Sequence, residues 1–406
     1  MKRIVVNGGA PLQGEIKVGG SKNAALPIIF SCILMHGVSR IDNLPDIGDV
    51  RVALDILRGF GARVDRLGST TYIDTTDLRY TDPDKNLVGQ IRASTYLIGS
   101  CLSRFGLCPL MSFGGCNFSA RPIDMHIDAC LRLGARLDGS LLAAHSLFGN
   151  EITFAIPSVG ATVNAILLAA SAQEDRVIHG CAIEPHIDAL IDFINSAGGC
   201  ITRVGRDIFL QGRTLHGGNS CIIGDMIEAG SYLALGLLCG SDIRVLNSPV
   251  KDMDAVTDAL CDMGAVIYES GLSARIENGS YLSLCTSPYP GFPTDLQPIM
   301  AALMAAYCGG DITDTVWPGR FGYLNSLADL GVEYTIDSSC ARIFKSNLHC
   351  GITSATDLRG GMAALITSLA SSGRSEIYYA EKILRGYGDL EEKLLSVGAD
   401  IKIEEK

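Results

Sequence analysis

The chain has 406 residues, 47% of them hydrophobic, and its 33 Lys and Arg residues against 44 Asp and Glu residues give a formal net charge of -11 at pH 7. This length and apolar content predict two or three well-packed domains and argue against large-scale disorder. The acidic surplus repels polyanions, so the composition disfavours a nucleic-acid partner or an anionic membrane surface, and the basic residues that hold any anionic substrate must be few and locally clustered.

The first residues of the chain carry charges but no apolar stretch of signal-peptide length, and later apolar runs are shorter than the roughly 20 residues that span a membrane. We therefore expect a cytoplasmic protein. The fourteen cysteines include no CxxC pair, and Cys32, Cys101, Cys239 and Cys308 stand in apolar helical patterns. All cysteines except Cys116 are expected to be packing groups rather than zinc ligands or disulfide partners.

A helix that ends at a glycine and is followed by a strand is predicted six times along the chain. Such a glycine adopts the left-handed conformation that ends a helix. The repeats recur about every 67 residues. Their glycines are Gly61, Gly134, Gly198, Gly264, Gly331 and Gly398.

Each repeat is also predicted to begin with an interior helix that is rich in small residues and apolar on nearly all sides. In chain order these helices are SKNAALPIIFSCIL, RASTYLIGSCLSRFG, GATVNAILLAASAQ, EAGSYLALGLLCG, TDLQPIMAALMAAYCGG and TDLRGGMAALITSLASSG. Short strands such as VSRIDNLP and DIRVLNSP separate the two helices. Each repeat therefore reads β-α-β-α-β-β, and six repeats predict two α/β domains of three repeats each.

Polar residues are concentrated where the interior helices begin, and a helix start is a natural anion site. If symmetry brings these starts together, they form a polar cleft between the domains. The alternative is that the aspartates and serines are only helix caps, which does not suit the cations because their charge opposes the helix dipole. The residues are Ser21, Lys22, Asn23, Arg92, Ser158, Gly160, Asp225, Glu228, Asp295, Asp357 and Arg359.

Nine segments in this order resemble the enolpyruvyl transferases: GGSKNAALPI, NLPDIGDV, IRAS, GGCNFSARPIDMHI, SVGAT, IEAGS, FPTDLQP, ATDLRGG and LRGYGDLEEKLLSVGAD. The resemblance covers essentially the whole chain. It implies a two-domain inside-out α/β barrel, like EPSP synthase, with six βαβαββ units in two pseudo-threefold lobes. The first lobe is expected at residues 22–223 and the second at residues 1–21 plus 224–406.

The resemblance also implies a reaction, the transfer of the enolpyruvyl group of phosphoenolpyruvate to the 3′-hydroxyl of UDP-N-acetylglucosamine with release of phosphate. This is the first committed step of peptidoglycan synthesis. Asp295 matches the base that accepts the hydroxyl proton, Asp357 a second acidic position, and Cys116 the acid that protonates C3 and forms a reversible adduct. Lys22 and Arg385 also match catalytic positions. The implied phosphoenolpyruvate ligands are Lys22, Arg92, Arg121, Arg320, Arg359 and Arg385.

The resemblance implies that the nucleotide sugar is bound by a second set of residues, and it requires no cofactor or metal. Only the two small-molecule substrates are expected as partners, and a monomer is expected. The implied nucleotide-sugar ligands are Asn23, Arg92, Arg121, Pro122, Ile123, Asp124, Ser158, Val159, Gly160, Asp295 and Val316. His126 follows the family pattern DxH and suits a structural or a functional role equally.

Several positions depart from the family pattern. Ile156 and Met226 stand where basic residues are usual, WPGRF replaces ENRF, and Lys382 replaces a histidine. These changes favour, as an alternative, a paralogue that binds sugar nucleotides without turnover or with altered specificity. A second alternative is 5-enolpyruvylshikimate 3-phosphate synthase, although Lys22 is followed by Asn23 rather than serine. RNA 3′-terminal phosphate cyclase is disfavoured by the acidic charge and the absence of its histidine motif.

Overall fold

The computed structural model describes residues 1–114, 122–144, 149–171, 174–268, 273–276 and 279–405. The chain forms two compact units. The middle unit is Gly20–Ile223, and the terminal unit combines Met1–Gly19 with Gly224–Lys406.

Helices and strands alternate along both units. The terminal unit begins with β1 (Lys2–Gly8) and β2 (Gln13–Lys17). The middle unit contains α1 (Lys22–Ser31), a 3-10 helix (Cys32–Leu34), β3 (Val38–Asp42), α2 (Gly48–Gly59), β4 (Arg63–Leu67), β5 (Thr70–Asp74), α3 (Lys85–Val88), a 3-10 helix (Arg92–Tyr96), α4 (Leu97–Phe105), β6 (Leu107–Pro109), α5 (Asp124–Arg132), β7 (Arg136–Asp138), β8 (Leu141–Ala143), β9 (Glu151–Thr153), α6 (Val159–Ala169), β10 (Arg176–His179), α7 (Pro185–Ser196), β11 (Cys200–Val204), β12 (Asp207–Gln211) and β13 (Asn219–Cys221).

The terminal unit continues after residue 224. It contains α8 (Met226–Leu238), β14 (Asp242–Leu246), a 3-10 helix (Val250–Asp252), α9 (Asp254–Asp262), β15 (Ala265–Tyr268), β16 (Ser273–Ile276), β17 (Leu282–Thr286), a 3-10 helix (Thr294–Leu296), α10 (Gln297–Tyr307), β18 (Gly310–Asp314), α11 (Leu324–Ala328), β19 (Tyr334–Asp337), β20 (Cys340–Ile343), β21 (Ile352–Ser354), α12 (Leu358–Ala370), β22 (Gly373–Tyr378), α13 (Glu381–Leu384), α14 (Leu390–Ser396) and β23 (Asp400–Glu405).

One strand order recurs in the sheets of both units. Four sheets have the orders β13-β3-β5-β4, β11-β12-β10-β9, β17-β18-β20-β19 and β21-β22-β1-β23. Each of them has one parallel pair and two antiparallel pairs. In three of the sheets the parallel strands flank an interior helix, α6, α10 or α12, whereas in the fourth the parallel partner of β3 is β13, from the end of the middle unit. The first two strands of the chain complete repeats of the terminal unit, because β1 joins β22 and β23 and β2 joins β14. The predicted β-α-β-α-β-β repeat is therefore confirmed in these sheets.

The glycines predicted to end the second helix of each repeat all have a left-handed backbone. Their φ angles are 98° at Gly61, 103° at Gly134, 94° at Gly198, 99° at Gly264, 94° at Gly331 and 88° at Gly398. A residue with a Cβ atom would be strained at such angles. The local reason given for the repeated glycine is therefore confirmed.

The interior helices lie in the cores of the two units, as predicted. In α12 every residue from Leu358 to Leu369 is buried, and α6 is buried from Ala161 onward. Neither helix has a wide polar face, and the one charged residue of the two, Arg359, lies in the first turn of α12. This arrangement places the candidate functional residues at one end of each interior helix.

The expectation that the cysteines are packing groups is only partly right. Cys32 and Cys181 are buried, and burial raises the pKa of each thiol to about 12, so both are unreactive at neutral pH. Cys239 and Cys308 are only half-buried. Another group is exposed to solvent, because its members occupy outward positions of strands or helices: Cys200, Cys221, Cys261 and Cys285.

A buried ion pair holds α14 against α8 in the terminal unit. Lys393 Nζ lies 2.6 Å from Glu228 Oε1, and the Gly19 N–H donates to Glu228 Oε2 at 2.8 Å. Glu228 is 4% exposed, and burial raises the pKa of its carboxyl group although Lys393 opposes that shift. Glu228 was predicted to be a functional residue because it lies at a helix start. It instead forms a structural ion pair with Lys393.

We expect Lys393→Met to lower the free energy of unfolding by about 3 kcal/mol at pH 8 and by less at pH 5. Without Lys393, the folded pKa of Glu228 rises further. A raised carboxyl pKa means that stability falls as pH increases above the unfolded value of about 4.3, because the folded state must then hold an uncompensated carboxylate. Urea denaturation of the wild type and the variant at both pH values measures the difference in the free energy of unfolding.

The control is Lys402→Met, which removes an exposed lysine that pairs with Glu404 at 3.0 Å. We expect little change at either pH. Equal losses for the two variants, or a larger loss for Lys393→Met at pH 5 than at pH 8, would contradict the assignment.

Candidate active site

Asp295 lies between two buried arginines in the terminal unit. Arg320 Nη1 donates to Asp295 Oδ1 at 2.9 Å, and Arg359 donates to Oδ2 from Nε at 3.2 Å and from Nη2 at 3.1 Å. The arginines are 4% and 2% exposed, whereas the Asp295 side chain is 30% exposed. Three predicted site residues, Asp295, Arg320 and Arg359, are therefore brought together, and the Asp295 side chain is partly exposed.

Arg359 is held from a second side by Tyr387. The guanidinium carbon lies 5.4 Å from the centre of the Tyr387 ring, and the Tyr387 hydroxyl is 2.8 Å from Ser231 Oγ. Burial opposes the charge of Arg359, but Tyr387 and Asp295 together hold its pKa above the ordinary value. Arg359 therefore remains a cation in spite of its burial.

The helix-cap interpretation is right for four helix starts. Asp357 Oδ1 accepts from the N–H groups of Arg359 and Gly360, and Asp225 Oδ1 accepts from those of Ile227 and Glu228. Ser21 and Ser158 also accept hydrogen bonds from the first turns of α1 and α6. Asp295 lies in the 3-10 helix before α10, and its carboxylate accepts hydrogen bonds from both arginines.

Lys382 and Arg385 lie on or next to the short helix α13. Lys382 Nζ donates to the carbonyls of Ala355 and Thr356 at 3.0 and 3.1 Å, so it holds the segment that leads into Asp357. Arg385 directly follows α13 and is half-buried. Lysine at position 382 therefore has a structural role next to the start of α12.

The middle unit places Lys22 beside an acidic residue that the sequence did not single out. Lys22 is the first residue of α1, and its Nζ lies 3.6 Å from Asp49 Oδ2 in the first turn of α2. The two side chains are 14% and 9% exposed. Asn23 follows on α1 and is half-buried. Lys22 is thus a largely buried cation at the start of an interior helix.

The starts of α5 and α6 are joined by a hydrogen-bonded histidine. Asn164 Nδ2 lies 2.7 Å from His126 Nδ1, and His126 is 7% exposed. A Cβ atom added to Gly160 would lie 2.6 Å from His126 Cε1, so the ring packs directly against the α6 backbone. His126 is therefore a buried residue that links α5 to α6 by a hydrogen bond.

The remaining predicted nucleotide-sugar ligands of the middle unit lie near these helix starts. Arg92 Nη2 donates to the Pro122 carbonyl at 3.4 Å. Ile123 and Asp124 begin α5, and Val159 begins α6 after the Ser158 cap. Cys116 and Arg121 lie outside the described residues.

The two positions where basic residues were expected differ in exposure. Ile156 is 64% exposed, two residues before the α6 cap. Met226 is partly buried against the core and lines a small cavity of about 30 Å³ together with Asp252 and Asp254. A cation at position 226 would face these two aspartates, so its absence changes the charge balance there.

The sequence matches the family model for EPSP synthase (3-phosphoshikimate 1-carboxyvinyltransferase) over residues 6–394. The chain belongs to the EPSP synthase family. Among the family's curated members, it is 37% identical over 418 residues to UDP-N-acetylglucosamine 1-carboxyvinyltransferase 3 of Symbiobacterium thermophilum, covering 100% of this chain and 98% of the relative. It is 38% identical over 416 residues to UDP-N-acetylglucosamine 1-carboxyvinyltransferase 2 of Clostridium acetobutylicum, with 100% of both chains covered.

Solved structures of EPSP synthase family members have the same fold. The enolpyruvyl transferase NikO from Streptomyces tendae superposes with a TM-score of 0.87 at 26% identity over 99% of both chains. EPSP synthase from Acinetobacter baumannii superposes with a TM-score of 0.73 at 16% identity over 100% of both chains, which supports the fold alone. The predicted two-domain inside-out α/β barrel is confirmed.

Within the ranges that the structure describes, no group of three or more His, Cys, Asp or Glu side chains is arranged to hold a metal ion. The described helices also include none that is long and apolar enough to cross a membrane.

Proposed function

We propose that this protein transfers the enolpyruvyl group of phosphoenolpyruvate to the 3′-hydroxyl of UDP-N-acetylglucosamine and releases phosphate, in the first committed step of peptidoglycan synthesis. The observation that carries the chemistry is the partly exposed Asp295 carboxylate between the buried cations Arg320 and Arg359. The choice of acceptor is supported by full-length identity of 37–38% to enzymes named for UDP-N-acetylglucosamine.

The donor carries a phosphate and a carboxylate, so its binding requires several cations. Arginine forks match the planar oxygens of both groups. Arg320 and Arg359 are proposed to exchange part of their bonding from Asp295 to the donor, because anionic donor oxygens compete for the same N–H groups. The other proposed donor ligands are Lys22, Arg92, Arg121 and Arg385.

Asp295 is proposed to accept the proton of the acceptor hydroxyl while that oxygen attacks C2 of the donor. Both carboxylate oxygens are bonded to arginines in the described structure, at 2.9 to 3.2 Å. Displacement of these bonds by the donor would free a carboxylate oxygen for the proton. Binding of phosphoenolpyruvate would thus prepare Asp295 to act as the base.

Cys116 is proposed to protonate C3 of the donor, which gives a tetrahedral ketal before phosphate leaves. A thiol with this role is nucleophilic when deprotonated. We expect fosfomycin, an epoxide phosphonate, to alkylate Cys116 in the presence of UDP-N-acetylglucosamine. Intact-mass analysis should show one adduct on the wild type and none on Cys116→Ser.

The exposed Cys261 provides the control for this alkylation. Cys261→Ser should keep the adduct, since exposure alone does not make a thiol reactive. Absence of an adduct on the wild type, or its loss from Cys261→Ser instead of Cys116→Ser, would argue against a reactive thiol at position 116.

The nucleotide sugar is proposed to bind at the start of α6, where Ser158, Val159 and Gly160 present backbone N–H groups to the pyrophosphate. We expect Gly160→Ala to raise the KM for UDP-N-acetylglucosamine about tenfold with little change in kcat, because lost ground-state binding appears in KM. The added methyl group would meet His126 at 2.6 Å and displace the helix start.

Gly59→Ala is the matched control, since a Cβ atom at this helical glycine meets no atom within 4 Å. Steady-state kinetics should show an unchanged KM for the control. An unchanged KM in Gly160→Ala would remove the start of α6 from the proposed nucleotide site.

Altered acceptor specificity is the second candidate function. The exposed apolar side chain of Ile156 near the start of α6 favours it, because a basic residue usual at this position would attract a phosphate. Phosphate release from phosphoenolpyruvate distinguishes the candidates when UDP-N-acetylglucosamine and shikimate 3-phosphate are compared as acceptors. Release with the first supports the proposal, release with the second alone supports a synthase, and no release with either supports a binding paralogue.

We further propose that the enzyme acts in the cytoplasm as a monomer, with its two small-molecule substrates as partners and with neither nucleic acid nor membrane as a partner. The net charge of -11 supports the exclusion of polyanions.

A further inference from the structure

A buried aspartate next to the Asp295 site has no role in the reaction described above. Asp314 is the last residue of β18 and is 0% exposed. Its carboxylate accepts five hydrogen bonds, from Thr286 Oγ1 (2.7 Å), Thr294 Oγ1 (2.7 Å), Gln297 Nε2 (2.6 Å), Val316 N–H (2.9 Å) and Trp317 N–H (2.8 Å).

These five donors are neutral, and they come from three separate segments. They lie at the end of β17, in the continuous stretch formed by the 3-10 helix Thr294–Leu296 and the start of α10, and in the loop after β18. A buried carboxylate is tolerated only where such hydrogen bonds replace its hydration. Asp314 therefore fixes the three segments relative to one another.

Two of the three segments carry site residues. Thr294 directly precedes Asp295, and its Oγ1 both donates to Asp314 and accepts from Arg320 Nη1 at 3.2 Å. The same Arg320 Nη1 donates to Asp295 Oδ1. The loop whose N–H groups bind Asp314, at Val316 and Trp317, continues directly to Arg320. Asp314 thus acts on both partners of one ion pair, through Thr294 and through the loop.

We propose that Asp314 is a positioning residue of the enolpyruvyl transfer reaction, which sets the orientation of Asp295 and Arg320 through Thr294 and the 315–317 loop. The proposal rests on the proposed function. Asp314 is fully buried and does not itself contact a substrate. Small displacements of groups that act in catalysis reduce turnover strongly, even when the substituted residue is not at the reacting centre.

Two threonines allow the positioning role to be separated from stability. Thr286 and Thr294 each donate one hydroxyl hydrogen bond to Asp314 at 2.7 Å, but only Thr294 also contacts Arg320. Replacement of either by valine removes the same kind of bond from the same carboxylate. We expect Thr294→Val to lower kcat/KM for phosphoenolpyruvate about tenfold, while Thr286→Val changes it less than about twofold. Thr294→Ser retains the hydroxyl and should restore activity.

The measurement is kcat/KM of the full-length variants, together with thermal denaturation of each. Wild type is assayed first with UDP-N-acetylglucosamine and shikimate 3-phosphate, and the variants are compared with whichever acceptor releases phosphate. A wild type active only with shikimate 3-phosphate would reject the proposed acceptor, whereas the ratio between the two valine variants would still decide the positioning role.

Asp314→Asn should lower kcat/KM by about 100-fold, because an amide places a donor against the donors of Thr294 and Gln297. If this variant does not fold, the comparison of kcat/KM between Thr294→Val and Thr286→Val decides whether Asp314 has the positioning role. Equal losses of kcat/KM in Thr294→Val and Thr286→Val, no loss in either, or a wild type inactive with both acceptors would overturn the proposal.

Discussion

Asp295→Asn is expected to lower kcat by about 10²- to 10⁴-fold, the usual range for loss of a general base. The substitution keeps the shape of the side chain but removes its ability to take the hydroxyl proton. It also leaves Arg320 and Arg359 without the carboxylate that now lies 2.9 and 3.1 Å from them. Bound phosphoenolpyruvate can balance the charges of these two arginines. The loss should therefore appear in kcat more than in the KM for phosphoenolpyruvate.

Asp311→Asn is the control for this prediction. Asp311 is also an aspartate bound by an arginine fork, since Arg342 donates to it from Nε at 2.8 Å and from Nη2 at 3.3 Å, but the pair lies on the outer side of the terminal-unit sheet. Steady-state phosphate release should be nearly unchanged in this variant. If Asp295→Asn retains more than about a tenth of wild-type kcat, Asp295 is not the base.

Arg359→Lys is expected to lower kcat/KM for phosphoenolpyruvate by about 100-fold, as for truncation of a buried hydrogen-bonded charge. Arg359 binds Asp295 from two nitrogen atoms and lies against the Tyr387 ring at 5.4 Å. A lysine ammonium keeps the charge but cannot make both contacts or match a planar anion with a fork. The effect should appear mainly in the KM for phosphoenolpyruvate, because the residue is proposed to bind this substrate.

Arg342→Lys removes a similar arginine fork from an exposed pair and serves as the control. We expect its kinetics to match those of the wild type. An Arg359→Lys enzyme with an unchanged KM for phosphoenolpyruvate would show that binding of this substrate does not depend on the guanidinium group at position 359.

The repeat architecture could be predicted because its signals are local. A left-handed glycine such as Gly264 and a helix cap such as Asp357 are determined by the backbone within one turn; the sequence predicted the glycine and gave the cap as one of two alternatives. Asp295 was open to the same cap interpretation, but its carboxylate is bound by Arg320 and Arg359, which are 25 and 64 residues away in sequence. Tertiary contacts thus decide between two equally suitable local patterns.

Partners from other segments could not be predicted for the same reason. Asp49 stands next to Lys22 only because α2 packs against α1, and Asp314 meets Thr294 only because β18 ends beside a 3-10 helix. An aspartate at the end of a strand also has an ordinary explanation as a turn residue. The exposure of Cys285 was missed because an apolar residue type in an alternating strand can face either side.

Product analysis of the wild-type protein with phosphoenolpyruvate and UDP-N-acetylglucosamine is the most direct measurement of the proposed reaction. Mass spectrometry and phosphate determination should show the nucleotide sugar carrying one enolpyruvyl group, bound at its 3′ oxygen, and an equal amount of phosphate. A sugar nucleotide recovered unchanged, with no phosphate released, would contradict enolpyruvyl transfer to this acceptor.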